Sequence, residues 1–370
     1  MPSNSITLLL GGDVMAGRGI DQILPHPSDP RLHERHVTDA RQYVALAERA
    51  NGPVARPVDF AYPWGDAIAD MQALGPDARF VNLETSITES DDWLAKGINY
   101  RMNPGNLACL AAFAIDGCTL ANNHVMDWGG AGLLDTIAAL RGAGIAMTGA
   151  GPDISAAEAP AILPVVGKGR VIVYGVAAAS SGVPADWAAD VGRLGVRLLP
   201  DLTPRQARRF AAGLWSDRQS GDIVVASVHW GGNWGHDIPT EHVELAHALI
   251  EDGGVDIVHG HSSHHPKAIE VHRGKLVLYG CGDFINDYEG IRGYEEFRGD
   301  LALAYLPTVD TATGRLIKLS MLPYVIRNLR LNRPPPGDIA WLAGALSKAS
   351  AGFGVRIAPN ADTGLNLVFR

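Results

Sequence analysis

Short apolar runs alternate with segments of helical periodicity along most of this sequence, and no other feature restricts its fold so strongly. The apolar runs have the length of buried strands, whereas the segments between them place apolar residues on one helix face, as at Tyr43, Val44 and Ala47. The predicted strands are 6–12, 79–83, 117–121, 170–178, 222–228 and 255–258. The predicted helices are 39–50, 103–115, 131–144, 203–217 and 241–254. Such an alternation is typical of an α/β protein with a largely parallel sheet.

The C-terminal third of the chain has a different pattern, because helical segments give way to paired strands. Residues 268–280 and 301–322 read as antiparallel hairpins that turn at Arg273–Gly274 and near Thr313–Gly314. A short helix around 339–348 and a last strand around 365–369 follow. The proline run at 333–337 therefore suggests a main domain of residues 1–332 and a small helix–strand segment, 333–370, packed on it.

Charge and cysteine content exclude several classes of protein. The net charge is −9, and a long basic run is lacking, which disfavours a nucleic-acid partner. The three cysteines include no C-x-x-C pair, so neither a disulfide framework nor a cysteine zinc site is expected. The apolar run Ile6–Leu10 is too short for a signal peptide or a membrane anchor. We therefore expect a cytoplasmic protein without an anchor, and the sequence leaves its oligomeric state open.

Metal-binding types of side chain follow five of the predicted strands. Because the carboxyl ends of parallel strands meet at one edge of a sheet, these side chains are expected to converge there. Carboxylates, amide oxygens and imidazoles suit Mn, Fe, Zn or Ca, and their number exceeds the need of one tetrahedral ion. The sequence thus predicts a site for two divalent ions that share a carboxylate. The residues at the strand ends are Asp13, Glu84, Asn122, Asn123, His124, His229, His259 and His261.

Histidines are concentrated around one of these strand ends. The segment DIVHGHSSHHP holds four of them, and nine of the 13 histidines lie between positions 229 and 272. A single polar residue after a strand is more often a helix cap, a turn residue or a satisfied core side chain. The concurrence of several such strand ends is what favours a metal site.

Five motifs together resemble those of the CapA family, the poly-γ-glutamate capsule-synthesis proteins of the calcineurin-like metallophosphoesterase superfamily. The resemblance extends from about residue 6 to about residue 330, and it implies a four-layer α/β/β/α sandwich with a dinuclear metal site at one sheet edge. The motifs are GGDVMAGRG, NLETSIT, ANNHVMDWG, SVHWGGNWG and GHSSHHPKAIEVHRGKLVLYGCGDFIND.

The resemblance also assigns roles to individual residues. Asp13 resembles the aspartate of the first motif, and Glu84 stands where the superfamily usually has a bridging aspartate. Asn123 and His124 resemble the Asn-His pair, in which the amide binds metal and the imidazole donates a proton or hydrogen bond. His229 resembles the isolated histidine ligand.

The last histidine pair has two possible registers. His259 and His261 have the spacing of the superfamily's final His-x-His, whereas alignment on the CapA pattern gives His261 and His264. We favour the first pair at this stage because a spacing of two puts both side chains on one face of an extended segment.

Three departures from the family pattern bear on the reaction. Met15 stands where the superfamily usually has a further histidine ligand, and position 84 is glutamate rather than aspartate. CapA proteins also resemble membrane-anchored envelope proteins, whereas no membrane anchor is expected for this chain. The first two departures weaken an expectation of ordinary phosphoester hydrolysis, and the third weakens a direct role in capsule export.

Three functions remain open. The first is hydrolysis of a peptide, polyglutamate-like or phosphoester substrate by metal-activated water, with Asp13, His124 and His264 as catalytic residues and His124 protonating the leaving group. The second is epimerisation of a peptide residue, with which relatives of this family are associated in lasso-peptide maturation. For that reaction, His264, His265, His236 and Asp237 are candidate bases. The third is a non-catalytic role in capsule or polyglutamate assembly.

Residues near the predicted centre also suggest a substrate site for a peptide or small acidic molecule. Trp230 and Trp234 either pack a loop base or form an aromatic wall, to which His236 and His265 would contribute. Arg101 either clamps a carboxylate or forms a surface salt bridge. Asp283 is a candidate partner of a ligand histidine.

Overall fold

The computed structural model of the chain describes residues 4–214, 218–360 and 364–369. The α-helices are α1 (Arg18–Asp21), α2 (Arg41–Asn51), α3 (Asp66–Leu74), α4 (Ala108–Ala112), α5 (Gly129–Gly142), α6 (Ile154–Glu158), α7 (Pro204–Ala212), α8 (Thr240–Glu251) and α9 (Pro336–Ser350). The 3-10 helices are Tyr62–Trp64, Pro104–Asn106, Ala179–Ser181, Ala185–Trp187, Glu295–Phe297 and Ala351–Phe353.

The strands follow the predicted pattern and add short pairs between its elements. They are β1 (Ser5–Val14), β2 (Ala78–Leu83), β3 (Ser86–Ile87), β4 (Arg101–Met102), β5 (Gly117–Thr119), β6 (Ala146–Thr148), β7 (Ala150–Gly151), β8 (Ala161–Val165), β9 (Gly169–Ala178), β10 (Gly195–Val196), β11 (Leu198–Leu199), β12 (Ile223–His229), β13 (Ile257–His261), β14 (Ile269–His272), β15 (Lys275–Leu278), β16 (Asp283–Ile285), β17 (Leu301–Asp310), β18 (Leu316–Ile326), β19 (Leu331–Asn332), β20 (Arg356–Pro359) and β21 (Leu365–Val368).

The strands form two large sheets, whereas the alternation of elements taken alone predicted one. Sheet one has the order β20-β21-β18-β17-β1-β2-β5-β6, with β16 beside β1 and β19 beside β18. Sheet two has the order β11-β9-β12-β13-β15-β14, with β8 beside β9. In both sheets the strands that carry the site are parallel, namely β1, β2 and β5 in sheet one and β12 and β13 in sheet two.

The two sheets pack face to face, and helices cover their outer faces. Alternate residues of β1 show this arrangement, since Leu8 and Leu10 pack against Val173 and Ile257 of sheet two. Leu9 points to the opposite face and belongs to the core beneath α2, α3 and α5. A third core lies between the outer face of sheet two and helices α7 and α8. The α/β/β/α sandwich is therefore confirmed.

The C-terminal elements agree with the predicted hairpins, of which β14–β15 belongs to sheet two and β17–β18 to sheet one. The strands β14 and β15 pair on either side of Arg273–Gly274, whose φ angles of 49° and 81° suit a tight turn. Strand β21 pairs with β18, and β20 pairs with β21, so the segment after residue 333 packs on the same sandwich.

Two predicted helices differ in detail from those observed. The helix predicted at 103–115 is divided into the 3-10 turn Pro104–Asn106 and α4. The end of the helix predicted at 203–217 lies outside the described residues. Among the residues that the structure describes, no helix is both long and apolar enough to cross a membrane.

Candidate metal centre

The carboxyl ends of five strands, three from sheet one and two from sheet two, converge on a buried group of carboxylates and imidazoles. Strand pairing fixes the arrangement, because Asp13 lies opposite Asn82 on β2 and His229 lies opposite His261 on β13. Asp13, His229 and His261 are fully buried. The site is thus built at the place where the parallel halves of both sheets end.

Asp13, His229 and His261 form the first donor group, whose candidate ligand atoms all lie within 4.8 Å of one another. Nδ1 of His229 lies 2.7 Å from Nδ1 of His261, which is 4.0 Å from Asp13 Oδ1. The amide oxygen of Asn123 lies 3.1 Å from His229 Nε2. Because an amide oxygen only accepts, Nε2 of His229 carries the proton and its Nδ1 presents a lone pair to His261.

A hydrogen-bond relay through Ser227 fixes the tautomer of His261. His259 Nε2 donates to the carbonyl oxygen of Gly11 at 2.9 Å, so its Nδ1 must accept from the Ser227 hydroxyl at 3.1 Å. That hydroxyl then accepts from His261 Nε2 at 2.9 Å. The relay leaves the Nδ1 lone pair of His261 facing His229.

The relay also separates the two histidines that the spacing argument had paired. His261 belongs to the first donor group, whereas both ring nitrogens of His259 are occupied by protein partners. His259 therefore lies deeper in the sheet than His261, and not at the ligand position that was predicted for it.

Asp13, His264 and Asp283 form a second donor group that shares Asp13 with the first. Strand β16 pairs with β1 so that Asp283 lies opposite Asp13, and His264 Nδ1 lies 2.9 Å from Asp283 Oδ1. Burial alone would lower the pKa of His264, but the charge and hydrogen bond of Asp283 raise it. This group contains the histidine of the alternative register and the aspartate expected to contact it.

Several carboxylates lie close together at the centre, where a cation would compensate their negative charge. The Asn82 side-chain amide donates to Asp13 Oδ1 at 2.8 Å and to Glu84 Oε2 at 3.0 Å, which holds the two acids together. Burial, followed by the charge of Asp283, raises the pKa of Asp13 to about 7. Burial and Asp13 likewise raise the pKa of Glu84. Asn82 was not anticipated as a site residue, although a polar residue inside the apolar run 79–83 was a signal.

The donor set fits divalent ions of the Mn, Fe or Zn type. Burial of several negatively charged carboxylates is unfavourable unless a positive charge compensates them. The facing Nδ1 lone pairs of His229 and His261, 2.7 Å apart, likewise repel each other unless a cation lies between them. Burial lowers the pKa of both imidazoles well below 6.5, so they are neutral donors at physiological pH.

His124 lies beside the donor groups and is held by an aspartate. Its Nδ1 is 2.6 Å from Asp127 Oδ2, and its Nε2 is 3.8 Å from Glu84 Oε1. Asp127 also accepts from Lys96 Nζ at 2.7 Å and from the Tyr100 backbone N–H at 2.7 Å. Burial lowers the pKa of His124 to about 4 although Asp127 opposes the shift. The sequence analysis missed Asp127 and Lys96, and Asp127 stands inside the ANNHVMDWG motif.

Three of the residues predicted to bind substrate lie together near the second donor group. The Trp234 ring is 5.4 Å from that of His264 and stacks on His265 at 6.1 Å. His236 contacts the edge of His265 at 4.8 Å. These residues form an aromatic cluster at the rim of the centre.

The other two predicted substrate residues are placed elsewhere. Trp230 is 2% exposed and stacks on His242 in the core beneath α8, with its Nε1 donating to the Tyr279 carbonyl oxygen. The Arg101 guanidinium donates to the Ser90 carbonyl oxygen at 2.9 Å and lies over Trp128. Trp230 thus packs inside the protein and Arg101 forms a salt bridge with the exposed Asp91 at 3.0 Å, which are the alternatives to an aromatic wall and a carboxylate clamp.

Known proteins were compared with this chain by family model, by sequence and by structure. The family model described as bacterial capsule synthesis protein PGA_cap matches residues 7–288. A probable polyglutamine synthesis accessory protein of Mycobacterium tuberculosis is 49% identical over 365 residues, covering 98% of this chain and 96% of that protein. The PGA biosynthesis protein CapA of Bacillus subtilis is 28% identical over 304 residues, covering 82% and 68%. Among solved structures, a phosphatase of Mycoplasma pneumoniae aligns with a TM-score of 0.46 at 13% identity, covering 90% and 96%.

Proposed function

Because this chain belongs to the PGA_cap family of bacterial capsule synthesis proteins, we propose that it is a divalent-metal-dependent hydrolase of a peptide-like chain. The names of its relatives refer to polyglutamine synthesis and to PGA biosynthesis, and both suggest a polymer of linked amino acids as the substrate class. A hydrolase in such a system would trim or release the polymer.

The observation that carries the proposal is that Asp13 belongs to two donor groups at once. Asp13, His229 and His261 would hold one ion, and Asp13, His264 and Asp283 would hold another. Two bound divalent ions would supply a lowered pKa for coordinated water and a polarised substrate oxygen. In this proposal the ligand pair is His261 and His264, and His259 fixes the orientation of His261.

His124 is the residue proposed to move the proton. Asp127 accepts from its Nδ1, so Nε2 faces the centre on the side of Glu84. From that position Nε2 takes a proton from the attacking water and returns it to the leaving nitrogen or oxygen. Lys96 holds Asp127 in place through a 2.7 Å contact, and the imidazole orientation depends on both.

Epimerisation at a Cα is the second candidate, and one observation favours it. Two imidazole–carboxylate pairs flank the centre, His124 with Asp127 at 2.6 Å and His264 with Asp283 at 2.9 Å. Inversion of a stereocentre uses two groups: a base that removes the Cα proton and a protonated group that delivers one to the other face. Hydrolysis uses only the first pair, with His264 as a ligand.

Metal content and isotope incorporation test the proposal. Elemental analysis should find up to two divalent ions in the wild-type protein and fewer in the folded Asp13→Ala variant. Incubation with peptides in D₂O should give cleavage products without deuterium at an intact Cα. Deuterium gain of one dalton without cleavage would favour epimerisation. A wild-type protein that binds no metal from Mn, Fe or Zn solutions would exclude both reactions as proposed.

A further inference from the structure

A cavity of about 350 Å³ lies next to the second donor group. Two of its lining residues also contact that group, since Asn286 Nδ2 donates to Asp283 Oδ2 at 2.7 Å and the Tyr288 hydroxyl lies 3.5 Å from His264 Nε2. A volume of this size accommodates a small ligand or a few residues of a peptide. The cavity is therefore positioned to present a bound chain to the centre.

One wall of the cavity is aromatic and flat. Trp234 and Tyr294 both line it, and their rings stack in parallel with centroids 4.3 Å apart. The Tyr294 side of this pair is half exposed, whereas Trp234 extends toward His264. Flat aromatic faces bind planar peptide groups and methylene chains without requiring a charge.

The charged residues of the cavity favour an uncharged ligand. Three carboxylates line it, those of Glu289, Glu295 and Asp300, against one guanidinium, that of Arg327. Asp300 is paired with Arg298 at 2.8 Å, and Glu289 accepts from Asn51 Nδ2 at 2.7 Å. Counting Arg298, which pairs with Asp300, the cavity has one carboxylate in excess, which in a chain of net charge −9 disfavours a polyanion. This charge argues against the acidic substrate that the sequence analysis suggested.

Tyr288 lines the cavity, and its hydroxyl lies 3.5 Å from His264 Nε2 of the second donor group. The hydroxyl also lies 3.8 Å from the Met15 sulfur, a weak acceptor, and 2.9 Å from the Tyr100 hydroxyl. The Tyr100 ring in turn contacts the edge of His124 at 4.6 Å. The hydrogen bond between Tyr100 and Tyr288 has two orientations; when Tyr100 donates, the Tyr288 proton can point to His264 Nε2 or to a ligand oxygen.

We propose that this cavity is the substrate subsite of the centre, that it binds an uncharged segment of a peptide chain, and that the Tyr288 hydroxyl donates a hydrogen bond to a carbonyl oxygen of that segment. The proposal rests on the function proposed above, because the segment bound here is the one presented to the metal ions.

Calorimetric titration with two end-blocked peptides, hexaglutamine and hexaglutamate, tests the subsite on the metal-loaded protein. Hexaglutamine should bind at least tenfold more tightly than hexaglutamate at low ionic strength. Tyr288→Phe should weaken hexaglutamine binding by about three- to tenfold, the effect of one hydrogen bond, and should leave the metal content unchanged. Tyr174→Phe is the matched control, because its buried hydroxyl donates to the Leu214 carbonyl oxygen outside the cavity.

The outcomes separate this inference from the proposed function. Asp13→Ala should lose metal and turnover yet still bind hexaglutamine, since Asp13 does not line the cavity. Preferential hexaglutamine binding in a protein without turnover would leave the subsite standing and remove the hydrolase. Equal or tighter binding of hexaglutamate, unchanged binding by Tyr288→Phe, or no binding of either peptide at millimolar concentration would overturn the subsite.

Discussion

Replacement of Ser227 by alanine isolates the relay that orients His261. The hydroxyl lies 3.1 Å from His259 Nδ1 and 2.9 Å from His261 Nε2, and Ser227 is fully buried. Truncation removes both hydrogen bonds and leaves two ring nitrogens without a partner. Each such buried group costs about 1–3 kcal/mol, so the free energy of unfolding should fall by about 2–6 kcal/mol.

The same change should weaken metal binding, because His261 is no longer held in the tautomer that directs Nδ1 at the ion. Loss of a residue that orients a ligand typically lowers metal affinity by about 10- to 100-fold. Competition with a chromophoric chelator measures the affinity, and urea unfolding of the chelator-treated protein measures the stability.

Ser350→Ala is the control for this experiment. Ser350 is also fully buried, and its hydroxyl accepts from the Ile269 backbone N–H at 2.9 Å, in a position remote from the centre. It should lose stability without losing metal affinity. A folded Ser227→Ala protein with wild-type metal affinity would refute the relay, as would an equal loss of affinity in Ser350→Ala.

Three further predictions address the centre. His124→Ala should keep its metal and lose about 10²–10⁴ in turnover, measured by elemental analysis and kinetics on the same sample; joint loss of both would make His124 a ligand. Asn82→Ala, which removes the donor shared by Asp13 and Glu84, should lower metal affinity by about 10- to 100-fold in chelator competition, and unchanged affinity would contradict this role. Without metal, folding raises the pKa of Asp13 from 3.8 to about 7, so the folded chain keeps a proton that the unfolded chain releases. The contribution of Asp13 to the stability of the metal-free protein should therefore be greatest below about pH 4 and fall by up to about 4 kcal/mol toward pH 7. The lowered pKa of His124, about 4, acts in the opposite sense below pH 6.5, so the Asp13 effect is measured as the difference between wild type and Asp13→Asn in urea unfolding. Asp13→Asn should gain stability relative to the wild type between pH 5 and pH 7, and metal should abolish this Asp13 effect.

The sequence predicted the strand-end residues because their positions depend only on local pattern. Asp13, Glu84 and His229 each stand at or just after the end of an apolar run, and the parallel strands bring them together as expected. Asp283 was expected only as a partner of a ligand histidine, and Ser227 was not anticipated. Their roles depend on β16 pairing with β1 and on β12 lying beside β13, which are tertiary events that the local pattern does not specify.

Strand geometry also explains where the structure places His259 and Trp230. His259 and His261 do share a face, since both contact Ser227, but His259 lies deeper and reaches the Gly11 carbonyl oxygen of sheet one. Trp230 follows His229 directly, so its side chain points to the opposite face and enters the core beneath α8. The period of two was known from the sequence, but the depth of each residue relative to the second sheet was not.

The origin of the candidate ligands in both sheets has a consequence for when the proposed ions would bind during synthesis. The first candidate ligand is Asp13 and the last is Asp283, so these contacts span most of the chain and close late in folding. A nascent chain that has not yet emerged beyond β16 lacks part of the second donor group, and one without β13 lacks His261 of the first. The ions would therefore bind only after both sheets have formed. Once bound, they would stabilise the complete sandwich and slow its unfolding.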